Sequence, residues 1–156
     1  MKLNDHIDMK GRLRIRMQNR MGETVLDFKA DNDIVLTGRD LVARLFINEA
    51  IDPISHLAVG TGGTEVNPEE DNTLENELFR KAIMPIDPTE HLTDTEDGKK
   101  KVFISAELDF TEGNGALTEA GLFNSDASGV MYNRVVFAPV NKTEDFKLVL
   151  VWEIVF

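Results

Sequence analysis

The sequence predicts a mainly β fold, antiparallel and sandwich-like, in a single domain over residues 1–156 with one or two short helices. Three observations carry this. Apolar and polar residues alternate with a period of two in Arg12–Met17 and Val102–Phe110. Turn sequences rich in Gly, Asn and Ser separate the apolar segments, at Asn19–Gly22, Thr111–Gly115 and Asn124–Gly129. The segment FKLVLVWEIVF is apolar on both faces, so it is either central in a sandwich or covered by another subunit.

Taken in order, Met1–Lys10 is polar and reads as a flexible lead-in. In Arg12–Met17 the residues Leu13, Ile15 and Met17 share one face and Arg12, Arg14 and Arg16 the other. Thr24–Phe28 alternates again, which predicts a hairpin through Gly22. Asp33–Leu36 reads as a short strand. Thr37 then stands as the N-cap of a helix over about 38–48, with Asp40 three residues on. Leu41, Val42, Leu45 and Phe46 form its core-facing stripe.

Ile54–Gly63, ISHLAVGTGG, is a buried strand running into a glycine turn. The turn lacks the Lys-Ser/Thr of a phosphate-binding loop, and no helix pattern follows it. The segment 65–101 reads as an acidic loop or arm. Within it, Leu74, Leu78 and Ala82 allow a second helix over 74–83, with an extended arm as the alternative. Beyond Lys101 every apolar segment reads as strand.

Composition narrows the function. At 42% hydrophobic and 29% charged residues the chain is globular rather than disordered. A net charge of -11 argues against nucleic-acid binding. Most of the excess falls in Glu65–Asp97, with eleven acidic residues against two basic ones. There is no cysteine, which excludes disulfides and thiol chemistry. No apolar run reaches the roughly 18 residues of a membrane span, so no membrane insertion is expected. His6, His56 and His91 are scattered, and no nucleophile, base and acid stand in a triad pattern. His56 lies in an apolar strand, where a satisfied core histidine is the ordinary outcome. Asp94, Glu96 and Asp97 do not match the spacing of a calcium loop. No catalytic residue, cofactor or metal site is expected.

Leu57–Arg80 reads LAVGTGGTEVNPEEDNTLENELFR, and Leu117–Phe137 reads LTEAGLFNSDASGVMYNRVVF, followed by Lys142 and the apolar end strand. A Val-Gly-x-Gly turn, an acidic loop with proline, a Leu-x-x-Glu-x-x-Arg segment and a Glu-x-Gly-Leu-Phe core follow in that order. This order resembles the N-terminal domain of phage tail-collar fibre proteins and small baseplate and tail proteins, also found in contractile injection systems. The pattern usually has Ile or Arg near Glu119, where Thr118 and Ala120 stand here. The resemblance covers roughly Ile54–Phe156. It makes Gly60, Gly62, Leu74, Glu77, Arg80, Glu119, Gly121 and Phe123 candidate structural or interface residues, and the end strand adds Trp152 and Phe156. Glu77 and Arg80 can pair locally, and Glu119 can reach Arg80 or Arg134.

What the resemblance implies is a non-enzymatic tail subunit acting through contacts with itself, as a trimer or ring, and with other tail or baseplate proteins. It also implies a place in the virion, after assembly in the host bacterial cytoplasm. Fibre proteins of this kind continue into a shaft and tip, so a chain ending at Phe156 implies an attachment module. The alternatives are a module binding a glycan or host surface protein and a capsid or neck decoration protein. The first needs solvent-facing aromatics, and the chain has one Trp and one Tyr.

Overall fold

The alternation of β1 (Lys10–Asn19) sends Leu13 and Ile15 into the core and leaves its arginines on the outer face. A turn closed by the Asn19 side chain, which accepts from the N–H groups of Met21 and Glu23, leads into β2 (Thr24–Ile34). Arg12 pairs with Asp31 at 2.8 Å and Arg14 with Asp27 at 2.7 Å across this hairpin. The structure, a computed structural model, describes residues 9–156. Of the lead-in expected over 1–10, residues 1–8 lie outside the described residues, and Lys10 already belongs to β1.

The remaining elements are α1 (Leu36–Phe46), β3 (His56–Gly60), β4 (Glu77–Ala82), α2 (Pro88–His91), β5 (Leu92–Asp94), β6 (Lys100–Leu108), β7 (Gly115–Phe123), β8 (Met131–Lys142) and β9 (Phe146–Val155). Among the described residues, nine strands form one antiparallel sheet in the order β4-β3-β7-β8-β2-β1-β9-β6-β5. The sheet curls so that its halves face each other. Strand β2 makes the bend: its first residues pair with β1, and Asp33 and Ile34 pair with β8. At the other side Met84 N–H donates to the Ser105 carbonyl at 2.7 Å and joins the chain after β4 to β6. Leu13, Ile104, Leu150 and Trp152 of one half share a core with Leu57, Val59, Leu122 and Val135 of the other. The fold is therefore mainly β with two short helices, as the alternation predicts.

Strand β9 is central, between β1 and β6. Leu148, Leu150, Trp152 and Ile154 face the core, and Val149, Val151 and Val155 are half-buried on the outer face. Its apolar outer side is thus partly covered by neighbouring side chains of the same sheet.

Several local expectations are corrected. Helix α1 spans Leu36–Phe46 instead of 38–48, and Val35 rather than Thr37 is its N-cap residue. Backbone contacts replace the side-chain cap: Val35 N–H reaches the Tyr132 carbonyl and Leu36 N–H the Pro68 carbonyl. The Thr37 hydroxyl donates to Met131 O instead, and Asp40 pairs with Arg44. The stripe is also narrower than its spacing suggests. Leu41 is buried and Val42 packs on the core, whereas Leu45 and Phe46 face solvent.

The helix allowed over 74–83 is a strand, β4, because the free edge of β3 offers backbone partners that override local spacing. The acidic segment 65–101 is no separate arm. It supplies both edge strands of the sheet, β4 and β5.

Leu150→Ala removes a fully buried side chain at the centre of β9 and is expected to cost about 2–5 kcal/mol in urea unfolding. Val151→Thr on the outer face is expected to cost about 0.5 kcal/mol or less in the same assay.

Candidate functional site

On β7, Ala120 and Leu122 face the sandwich core, so the alternate residues Glu119, Gly121 and Phe123 face outward. Gly60 stands opposite Glu119, and Ala58 opposite Gly121. These small residues leave a shallow channel on the sheet. A Cβ at Gly60 or at Gly62 would come within 2.6 Å of the Glu119 carboxylate, so both glycines are there for close approach. Gly121 does the same beneath Leu74 and the Asn133 carbonyl.

Residues 61–76 fold back over this channel as a closed surface loop whose ends meet, Thr61 N–H donating to Asn76 O at 3.0 Å. The Glu119 carboxylate fixes it from below. Its Oε1 accepts from Gly62 N–H at 2.9 Å and Asn76 N–H at 2.7 Å. Its Oε2 accepts from Glu75 N–H at 3.0 Å and from Arg134 Nε at 2.9 Å. Glu119 is 0% exposed and the Arg134 side chain 2%, so this is a fully buried ion pair. Arg134 stands on β8 opposite Gly121 and crosses it to reach the carboxylate. Its other nitrogens reach Asp71 at 2.9 Å and Glu75 at 3.4 Å.

Burial draws the Arg134 guanidinium down, but its hydrogen bonds to Glu119 and Asp71 more than offset this and leave it raised. The planar fork suits three carboxylates at once. Leu74 and Val66 add a small apolar contact on Ala58, Phe123 and Met131.

Arg80 holds the neighbouring turn. In a regular strand residues three apart face opposite ways. Here a bulge sets two steps of β4, Glu77 to Phe79, against one of β3, and so brings Glu77 and Arg80 to the same face. Their contact is bidentate, at 2.8 and 2.6 Å. The guanidinium also lies 3.8 Å from the centre of the Phe123 ring and donates to the Ser125 and Ser128 carbonyls. It therefore fastens the 124–130 turn, where Asn124 Oδ1 accepts from Val130 N–H.

Eight of the candidate residues thus meet on one face: Gly60, Gly62, Leu74, Glu77, Arg80, Glu119, Gly121 and Phe123. Glu119 chooses Arg134 rather than Arg80. Trp152 and Phe156 lie elsewhere. Trp152 is in the core with its indole N–H on Asn32 Oδ1 at 2.9 Å, and Phe156 is 40% exposed and tied by its backbone to Lys100. Asp71, Glu75 and Asn76 have no signal in the sequence beyond belonging to the acidic loop.

A second buried cation, Lys142, donates to Asp109 O at 2.7 Å and Asn114 Oδ1 at 2.8 Å and closes the 109–114 turn. His56 Nδ1 contacts its neighbour Ser55 Oγ, and His91 Nδ1 accepts from Asp87 N–H. Asp94 pairs with Lys100, and Asp97 accepts from Thr95 Oγ1. Among the described residues, no group of three or more His, Asp or Glu side chains is arranged to hold a metal ion, and no helix is long and apolar enough to cross a membrane. A cleft of about 730 Å³ lies away from the Glu119 face, and its Arg12–Asp31 and Lys101–Glu153 charges are paired. Searches against protein-family models, curated proteins and solved structures each find no match.

Glu119→Ala leaves Arg134 buried without its fully buried partner and is expected to cost about 3–5 kcal/mol in urea unfolding. Glu77→Ala breaks a more accessible pair, with an expected loss of about 1 kcal/mol or less. A pH effect follows from Glu75. Hydrogen bonds from Thr64 N–H and Oγ1 hold its carboxyl below the ordinary 4.5. A carboxylate lowered in the folded state stabilises above its unfolded value and loses that contribution as pH falls through the folded one. The Thr64 amide resonance is expected to titrate with a midpoint below 4.5, and Thr64→Val is expected to move that midpoint up.

Proposed function

We propose that the chain is a non-enzymatic structural subunit of a phage or phage-like tail, at a baseplate, collar or fibre-attachment position, acting through contacts with its own copies and with other tail proteins. The observation that carries this reading is the convergence of the ordered motif. Residues from Gly60 to Phe123, separated along the chain, form one physical unit that fixes a surface loop and a turn. In that unit the polar side chains are engaged with the backbone and with one another, which suits a scaffold better than a reaction centre. The loop keeps Glu65, Glu69 and Glu70 exposed and offers a fixed acidic surface to a neighbouring subunit. The aromatic requirement of a glycan module is poorly met, since Trp152 and Tyr132 are both buried.

The proposed location is the virion, reached by assembly in the host bacterial cytoplasm. Immunogold electron microscopy on particles released from the producing cells tests this. Label at one defined level of the tail is the expected result. Label on heads or necks, or on no particle, overturns it.

A further inference from the structure

Lys142 is buried without a carboxylate partner. It is 1% exposed at the end of β8, two residues on from the core residue Val140. Arg134, on the same strand, has Glu119 and Asp71 to balance its charge. The acceptors printed around Lys142 are neutral: the Asp109 carbonyl at 2.7 Å, Asn114 Oδ1 at 2.8 Å and the Phe110 carbonyl at 3.5 Å. The carboxylates of the turn are engaged by other lysines, Glu112 by Lys81 at 2.5 Å and Asp109 by Lys147 at 3.8 Å.

A buried ammonium without a counter-ion is costly, and an amine escapes that cost by giving up its proton. Burial accordingly holds Lys142 below its ordinary 10.5, against the pull of Glu112 and Asp109 in the other direction. A neutral amine has two N–H groups, which the two short contacts satisfy, and it keeps a free lone pair. A lysine desolvated in this way is a nucleophile.

What it faces is an electrophile. Oδ1 belongs to the Asn114 side-chain amide, so the amide carbon Cγ lies one bond beyond the 2.8 Å contact. The amide is held from both sides: Oδ1 accepts from Lys142, and Nδ2 donates to the Phe110 carbonyl at 3.0 Å. Gly113, at a positive φ of 61°, seats the turn against Leu108, Phe79 and Val59. Amine and amide are thus kept together by the fold, which replaces an encounter between two molecules.

We propose that Lys142 and Asn114 join in an intramolecular isopeptide bond. The lone pair of Nζ adds to Cγ, and the tetrahedral adduct expels Nδ2. The Nζ–Cγ bond forms, the Cγ–Nδ2 bond breaks, and ammonia leaves with one proton from Nζ. Nothing is oxidised or reduced. Asn114 is half-buried, which gives ammonia a path to solvent. The reaction happens once per chain and has no turnover. Its product ties the end of β8 to the turn that carries the chain from β6 in one half of the sheet to β7 in the other. It goes beyond the tail reading and does not depend on it.

Intact-mass spectrometry of the full chain, after incubation at neutral and at mildly alkaline pH, tests the bond. The expected result is a mass short of the sequence by one ammonia. Trypsin is then expected to leave residues 102–134 joined to 135–147, because an acylated Lys142 is not cut. Asn114→Ala and Lys142→Arg are each expected to show no deficit, with circular dichroism to check their folds. Arginine keeps a cation in the turn but is no nucleophile, so it separates bond formation from a polar clamp. The joined peptides are read on the wild type, so the test stands even where a variant fails to fold. A wild-type chain of full mass overturns the proposal. So does an ammonia deficit without joined peptides, which marks a succinimide at Asn114–Gly115, or a deficit that survives either substitution.

Discussion

A carboxylate shut off from water has to be neutralised where it lies, and Glu119 imposes that constraint on the outer face of the β4–β3–β7–β8 half. Three backbone N–H groups and one guanidinium answer it. Each donor fixes a piece of chain. Gly62, Glu75 and Asn76 set the two legs of the 61–76 loop, and Arg134 ties in Asp71 near its tip. Glycine is then required at 60 and 62, since a side chain there would occupy the carboxylate's place. One buried side chain therefore determines the path of sixteen residues that have little apolar content to hold them down.

The two halves of the sheet treat charge differently, and the reason is desolvation. On the β1–β2 hairpin, Arg12 and Arg14 pair with aspartates in open solvent, where such pairs contribute little and keep the outer face soluble. On the other half, Arg134 and Lys142 are buried, and the penalty of burying them is offset only where every donor finds an acceptor. A buried pair of this type adds little net stability over an apolar replacement. What it adds is a defined geometry: few alternative loop paths supply all the partners.

Period-two patterns made most of the fold legible. The arginine face of β1 and the buried face of β6 follow from alternation alone, whereas the apolar faces of β9 allowed a central strand or one covered by another subunit, and pairing with β1 and β6 makes it central. Elements governed by long-range partners were not legible. β4 looks helical by spacing because Leu74, Leu78 and Ala82 recur at four, but the open edge of β3 decides it. The stripe of α1 looks four residues wide, but only Leu41 and Val42 find packing partners, and Leu45 and Phe46 are left exposed. At the site, the ordered residues from Gly60 to Phe123 were visible as a set. Their meeting on one face depends on strand pairing and on the bulge in β4, and neither is written in local spacing. The choice of Arg134 over Arg80 depends on the same pairing, which puts Arg134 across from Gly121.

The polar clamps and the exposed apolar end have a common physical consequence. Association is opposed by the entropy of ordering loops and side chains at the contact. Here that ordering is already complete in the single chain: the 61–76 loop is fixed by Glu119, the 124–130 turn by Arg80, and Phe46 and Ile47 by the Schellman end of α1. A surface prepared in this way binds with less loss of freedom than a flexible one of the same area. The acidic loop and the apolar end also face different demands. The loop keeps Glu65, Glu69 and Glu70 exposed, and the end of α1 keeps Phe46 and Ile47 exposed. The two are linked through the start of α1, where Leu36 N–H donates to the Pro68 carbonyl of the loop at 2.7 Å, so the ordering of one supports the ordering of the other.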